Sequence, residues 1–426
     1  MAGWYRCHRS DQPGPIRLEF LQSENRFWPP TVLGTNPVVI PEARGRKVVI
    51  TGAGAVWMYA HAAAQLCASK AAELDFERPT LAGVLEDTSG CSVEFRKAEP
   101  PHEDCGRLSI NLRKVPPLSA KAIGRLLQPE LEALTRNPVM ELALSGRASC
   151  DLYARAAWAA VAAGVRRLIC WSARDGLVVV YDRDGQGVGE QIARPAWLAA
   201  MIPRPMSPVI LGVAGDPNSG KSIFCEVLDW QRERSDEEGW KLDCDGQSPT
   251  PHWYLSIADQ GARTLRERYK CPWTAEMEKM IVDHLRCARE LFEVTIADLP
   301  GGNHNVDPPQ RIPPGRERIF GEVDAFILLD RADKPSEGDW RAALRAHGLE
   351  DRIAAVLVST APNSPPSLSL RLEGSLWRGT VSGLDRSRAI AALGEIFQKP
   401  LEQFWKWLVE FGRARLRKRT LEDKPK

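Results

Sequence analysis

The segment ITGAGAVWMYAHAAA, Ile50 to Ala64, is written a second time as LSGRASCDLYARAAW, Leu144 to Trp158. In each, a short apolar strand runs into a turn opened by Gly52 or Gly146. An alanine-rich helix follows, with Tyr59 or Tyr153 at the same distance beyond the glycine. An alternating strand precedes each copy, IRLEFLQ (Ile16 to Gln22) and GRLSINLRK (Gly106 to Lys114). A second strand pair broken at a turn glycine follows each, AGVLEDTSGCSVEF and LICWSARDGLVVVYD. Four features in the same order imply a tandem duplication that folds as a pseudo-two-fold pair of small α/β units. A unit of this size buries too little surface to be stable by itself.

The glycine turns carry two readings. One is tight strand-to-helix packing, for which a residue without Cβ is needed. The other is a phosphate seat, because the first N–H groups of a helix have no intrahelical partner. Two such ends facing across a pseudo-dyad suit a symmetric, multiply charged ligand.

Three prolines between Pro203 and Pro208 disfavour a regular element and close this half. Domain boundaries follow at 1–100 and 101–200 for the two repeats and 201–426 for the rest. The second half opens on VILGVAGDPNSGKSIFCEVL. An apolar strand, Gly215-x-x-x-x-Gly220-Lys221-Ser222 and a helix form a phosphate loop in its required context. Asn218, Ser219 and Gly220 turn backbone N–H groups toward phosphates, Lys221 reaches the β and γ oxygens, and Ser222 holds Mg²⁺.

Such a loop needs a carboxylate at the end of a neighbouring strand. FEVTIADLPGG supplies Asp298, as second metal-orienting and catalytic group, followed by Leu299 where many motor ATPases carry a water-polarising Glu. Asp298-Leu-Pro-Gly301 has the form of a GTPase switch, yet no N-K-x-D guanine motif follows, so ATP is the expected nucleotide, with Mg²⁺ or Mn²⁺. Further strands at Ala325 to Asp330, Ala354 to Ser359 and Leu376 to Ser382 predict a doubly wound parallel sheet. The stretch GGNHNVDPPQRIPPGRERIF is read as a mobile lid, with Asn303, His304, Arg311, Arg316 and Arg318 near the phosphates, or as a solvated loop. The tail, FWKWLVEFGRARLRKR, is an amphipathic helix that docks on the sheet or, through its basic cluster, on a partner.

Composition excludes some classes. Lys plus Arg total 57 against 55 Asp plus Glu, a formal charge of +2, which argues against bulk electrostatic binding of DNA. The ten cysteines show no Cys-x-x-Cys spacing, so free thiols in a reducing compartment are expected. No apolar run reaches membrane-spanning length and the first residues carry no apolar secretion signal, which points to the cytoplasm.

Strand, Gly turn, aromatic pair and helix, then a strand ending in an acidic residue before a Gly turn, is similar to the small ring nucleases of type III CRISPR systems. The likeness covers roughly Ile16 to Asp182 as two copies. The first keeps Gly52, Gly54 and Trp57 with Ala53 in place of the family arginine. The second keeps Ser145, Gly146 and Arg147 and has Ala148 for the second glycine. The resemblance implies that these positions bind a cyclic oligoadenylate, tetra-adenylate first among them. It also implies a His/Asp pair for metal-assisted cleavage, but Cys67 and Val161 stand where the family has histidine. Glu86 and Ser172 stand at the acidic position, and His61 lies about one helical turn away as a substitute or a packed residue.

The fusion to a phosphate-loop half resembles the ring-nuclease/P-loop ATPase proteins of the same loci. Asp245-Gly246 and Trp253 are similar to an element of those ATPase domains, which makes Asp245 a candidate catalytic carboxylate or a plain turn residue. Three functions follow as expectations: degradation or modification of the messenger coupled to ATP, a nucleotide-regulated switch with an inert sensor, and a kinase acting on a nucleotide. Self-association is compatible with each.

Overall fold

The computed structural model describes residues 3–8, 14–21, 23, 28–52, 54–77, 91–112, 119–146, 148–235, 237–246 and 272–422. They form two compact units, Met1–Pro203 and Arg204–Lys426. Ala53, Arg147, Glu86 and Trp253, singled out in the sequence, lie outside the described residues.

The first unit contains two sheets. Strands β1 (Tyr5–His8), β2 (Ile16–Phe20), β3 (Lys47–Gly52) and β4 (Glu73–Phe76) lie in that order, with α1 (Val32–Thr35) before β3 and α2 (Val56–Ala68) after it. β1 is antiparallel to β2, and β2, β3 and β4 are parallel. The second sheet comprises β5 (Cys91–Lys97), β6 (Cys105–Leu112), β7 (Glu141–Ser145), β8 (Arg167–Ser172), β9 (Gly176–Asp182) and β10 (Gln191–Ile192), in the reverse of chain order. Helix α3 (Ala120–Arg136) precedes β7 and α4 (Cys150–Ala162) follows it; α5 (Ala196–Met201) closes the unit.

Three parallel strands flanked by an antiparallel one therefore occur twice. The difference lies at the hairpins. β8 and β9 form the expected antiparallel pair around Gly176. The hairpin partner expected for Cys91–Lys97, from Ala82 to Asp87, lies outside the described residues, and Cys91–Lys97 pairs with β6 in the second sheet. Its alternating burial is compatible with either partner, so periodicity alone cannot choose between sheets.

α2 packs along α4. Ala60, Ala62, Ala63 and Ala64 of α2 and Ala154, Ala156, Ala157 and Ala160 of α4 are all fully buried in one core. Alanine permits this close approach and costs no side-chain entropy.

The second unit is a seven-stranded sheet. β11 (Val209–Ala214), α6 (Lys221–Arg234), β12 (Gly239–Asp243), α7 (Ala275–Leu291) and β13 (Val294–Asp298) lead to α8 (Glu317–Gly321) and β14 (Ala325–Arg331). Then come α9 (Glu337–Ala346), β15 (Ile353–Ser359), β16 (Ser367–Glu373), β17 (Leu376–Ser382) and α10 (Ile390–Glu422). The order is β12-β13-β11-β14-β15-β17-β16, parallel throughout except β16 against β17. Successive side chains of a strand point to opposite faces. Val209, Leu211, Val213, Ile296 and Ile327 accordingly pack with α6 and α10, while Ile210, Ala214, Ala297, Phe326 and Leu328 pack with α7, α8 and α9. Helices thus cover both faces, as an all-apolar parallel sheet requires.

The tail helix α10 docks on the sheet: Leu393, Phe397, Leu401, Phe404, Trp405 and Leu408 form a buried stripe at helical spacing. Arg413 pairs with Glu237 and Glu410, and Arg415 with Asp351, so part of the basic cluster is engaged within the unit. Among the described residues, no helix is long and apolar enough to cross a membrane.

Candidate functional site

Between β11 and α6 the chain must turn sharply around a space large enough for phosphate. Gly215 has φ +151°, and a Cβ there would lie 2.3 Å from the Leu329 carbonyl oxygen, so the loop passes β14 at a distance only glycine allows. Asn218 (φ +65°) and Gly220 (φ +90°) are left-handed, which turns successive N–H groups inward. Gly220 is also the N-cap of α6. The buried Ser219 hydroxyl has no hydrogen-bond partner among the described residues, and the Lys221 ammonium donates to the carbonyls of Gly215 (2.7 Å) and Asp216 (3.1 Å).

The strands alongside supply the carboxylates. Val213, Asp298 and Asp243 are level with one another across β11, β13 and β12. The Asp298 carboxylate is buried, and the Ser222 hydroxyl beside it favours its charged form. Burial pushes the Asp298 carboxyl up, against the opposing pull of Lys241 and Lys221. Burial likewise lowers the Lys221 ammonium, with Asp298 and then Asp245 resisting. Lys241 is buried, and its ammonium lies 2.6 Å from Glu226; Glu226 and Asp298 outweigh the desolvation and raise it. Two lysines thus flank one buried acid. Asp245 closes a turn, its N–H donating to Asp243 (2.9 Å), and its charge reaches Lys221, Asp298 and Arg316.

A hydroxyl and a carboxylate are hard oxygen donors, the kind Mg²⁺ takes in small number while phosphate and water complete its shell. The Ser219 hydroxyl, unpartnered among the described residues, and the glycine cradle fit a phosphate. Sequence and geometry agree in bringing Gly215, Asn218, Ser219, Gly220, Lys221, Ser222 and Asp298 to one place, with Asp245 beside them. Leu299 is buried and packs toward Gly212, where an added Cβ would lie 2.8 Å from its Cδ1, so no carboxylate follows Asp298.

The arginine-rich loop differs from the expectation. Arg311 and Arg316 are buried. Nε of Arg311 lies 3.0 Å from Oδ1 of Asp216, and its Nη2 donates to Asp339 (3.0 Å). The same Asp216 oxygen accepts from the Trp340 indole (2.8 Å). Asp216 and Trp340 were not evident in the sequence: Asp216 occupies a variable position of the loop motif, and no spacing links it to a tryptophan 124 residues away.

In the first unit the glycine turns are matched pair by pair. The Tyr59 hydroxyl donates to the Gly52 carbonyl (2.8 Å) and the Tyr153 hydroxyl to the Gly146 carbonyl (2.7 Å). Both glycines have positive φ, +99° and +107°. A Cβ on Gly52 would lie 2.4 Å from the Phe20 carbonyl oxygen, and one on Gly54 would meet the Phe20 ring, so packing already requires these two glycines. The turns lie side by side, since Cys150 Sγ is 3.6 Å from the Gly54 carbonyl oxygen. Neither N-cap side chain, at Ala55 or Ser149, hydrogen-bonds to its helix.

Trp57 is buried with its indole N–H on Asp175 (2.7 Å), and Ser145 is buried accepting from Arg107 Nε (2.7 Å). The Ser172 hydroxyl also donates to Asp175 (2.9 Å), so a carboxylate stands beside this serine. His61 is a packed residue. Its Nδ1 donates to the Val180 carbonyl (2.7 Å), Nε2 accepts from Val38 N–H (3.2 Å), and burial lowers its pKa to about 4.

No protein-family model and no curated protein matches the chain. Among solved structures, a candidate plasmid partition protein from Borrelia burgdorferi B31 bound to AMPPNP is 11% identical at TM-score 0.31, over 48% of this chain and 98% of that one. The septum site-determining protein MinD of Pyrococcus horikoshii with Mg-ADP is 11% identical at 0.26, over 51% and 98%. The signal recognition particle 54 kDa protein of Aeropyrum pernix with GDP is 16% identical at 0.26, over 52% and 51%. Scores this low carry no argument, and the P-loop NTPase fold of the second unit rests on its own strand order and loop geometry.

Proposed function

We propose that the chain is an Mg²⁺-dependent ATP hydrolase or phosphotransferase whose first unit binds a cyclic oligoadenylate, as the resemblance to type III CRISPR ancillary proteins implies. The observation that carries the nucleotide reading is the glycine cradle closed by Lys221, whose ammonium donates to the Gly215 carbonyl (2.7 Å), with the buried Asp298 level with Val213 at the end of the neighbouring strand. Bound Mg²⁺ would supply charge neutralisation of the β and γ oxygens, with Ser222 and Asp298 the groups that hold it.

Two features favour transfer to an acceptor over simple hydrolysis. Leu299 leaves no water-polarising acid after Asp298, and Asp245 offers a carboxylate on the same side as Lys221. A positioned hydroxyl needs orientation and proton acceptance more than polarisation of water. In the first unit, support comes from the adjacent glycine turns and the uncapped N-termini of α2 and α4, which leave N–H groups for phosphate. The positions that would cut the ring hold Cys67 and Val161, so the chemistry is assigned to the second unit.

The test is a chromatographic time course of radiolabelled cyclic tetra-adenylate and ATP, together and apart, with Mg²⁺ or Mn²⁺. The reading expects messenger altered by the wild type only when ATP is present, and left intact by the Lys221→Ala variant. Linear products without ATP would return cleavage to the first unit. A ring that survives every condition, with ATP bound tightly and not consumed, would make the protein a nucleotide-regulated switch.

A further inference from the structure

The chain after Gly301 doubles back on itself. Asn303 and Gln310 exchange backbone hydrogen bonds (2.8 and 3.0 Å), which closes residues 303–310 into a loop with two stems. Both stems stand on the phosphate loop. On one, Gly301 lies against Pro217 so closely that an added Cβ would be 3.1 Å from its Cδ. On the other, Nε of the buried Arg311 lies 3.0 Å from Oδ1 of the buried Asp216. His304 ties the loop to its first stem, Nε2 donating to the Gly301 carbonyl (2.9 Å).

The same Asp216 oxygen accepts from the Trp340 indole (2.8 Å), and Arg311 reaches on to Asp339 (3.0 Å). One buried carboxylate thus joins the phosphate loop, the 303–310 loop and α9. Its other oxygen is buried with no hydrogen-bond partner among the described residues. A buried ion pair contributes little net stability compared with apolar residues of the same volume, whereas removing one member is costly. Such a pair is better suited to fixing a geometry than to strengthening a core.

Lys221 shows where that geometry is needed. Its ammonium donates to the carbonyls of Gly215 and Asp216, and a bound phosphate competes for those donors. Once phosphate takes the ammonium, the Asp216 side chain still ties this stretch of backbone to the 303–310 loop.

We propose that Asp216 is a positioning residue that fastens the phosphate loop to the 303–310 loop and to α9, so that bound nucleotide and an ordered 303–310 loop stabilise each other. The role presupposes the P-loop reading above, and Asp216 itself touches no reacting atom. Coupling of this kind is reciprocal: a change that loosens the loop weakens nucleotide binding by the same factor.

The experiment measures ATP affinity by calorimetry, and amide hydrogen exchange with and without Mg-AMPPNP, in wild type, Asp216→Asn, Arg311→Met, the double variant and Arg311→Lys. In the wild type, Mg-AMPPNP should raise protection in residues 301–311 and at the start of α9 as well as in the phosphate loop. Each of Asp216→Asn and Arg311→Met should lower ATP affinity by on the order of 10–100-fold, and protection of 301–311 should cease to respond to nucleotide. The double variant should lose no more than the worse single one, and Arg311→Lys should recover part of the loss. If Arg311→Met does not fold, the wild-type exchange pattern and Arg311→Lys decide. Losses that add in the double variant, affinity that falls only in step with melting temperature, or wild-type protection confined to the phosphate loop would overturn the assignment and leave the P-loop reading standing. Wild-type protein that binds no ATP would overturn that reading, and the assignment with it, before any variant is compared.

Discussion

The indole N–H of Trp57 donates to Oδ2 of Asp175 at 2.7 Å, joining residues 118 positions apart, one from each copy of the repeat. Asp175 also accepts from Ser172, and these two bonds counter only part of the burial that pushes its carboxyl upward. Trp57→Phe removes one donor from a buried acid and leaves a small cavity where the larger indole packed. It should cost about 1–3 kcal/mol in urea unfolding of the full chain. A cost within error of zero would mean the contact contributes no net stability.

His61 gives the first unit a pH dependence. Its folded pKa, about 4, lies below the ordinary 6.5, so the unfolded chain binds more protons between those values. The stability held above pH 6.5 is lost as pH falls through that window, by up to roughly 3 kcal/mol. His61→Gln should flatten the unfolding midpoint between pH 6.5 and 4. A slope unchanged by the substitution would assign the dependence elsewhere.

Ser222 and Asp298 should act as one metal-holding pair. Ser222→Ala is expected to weaken Mg-ATP binding by about 1.5–3 kcal/mol in calorimetry. The difference should vanish when the metal is chelated, which separates a metal role from general damage to the loop.

Gly215→Ala tests the cradle. The new Cβ would sit 2.3 Å from the Leu329 carbonyl oxygen at a φ of +151°, so the loop must shift by bending backbone against backbone. ATP affinity should fall at least tenfold, with a melting temperature lower by several degrees. Full affinity would show that the loop can re-route past β14.

Much of this protein was legible because the relevant signals are local. The phosphate loop is a contiguous motif between a strand and a helix, and the repeat is a matched set of strand, glycine and tyrosine positions. Each of those features depends on backbone conformation that neighbouring residues determine. Asp298 was legible for the same reason, as the acid that ends a buried strand.

Tertiary structure decided what depends on partners far along the chain. Cys91–Lys97 joins the second sheet because β6 offers its edge there, a choice that alternation cannot express. His61 is neutral and packed because it is satisfied by Val38 and Val180, the latter 119 residues away. Arg311 and Arg316 have the same side chain in one loop, yet Asp216 holds the first and Trp273 stacks on the second. Burial and charge pairing are sums over three-dimensional neighbours, so residue type sets which interactions are available, and the packed fold selects among them.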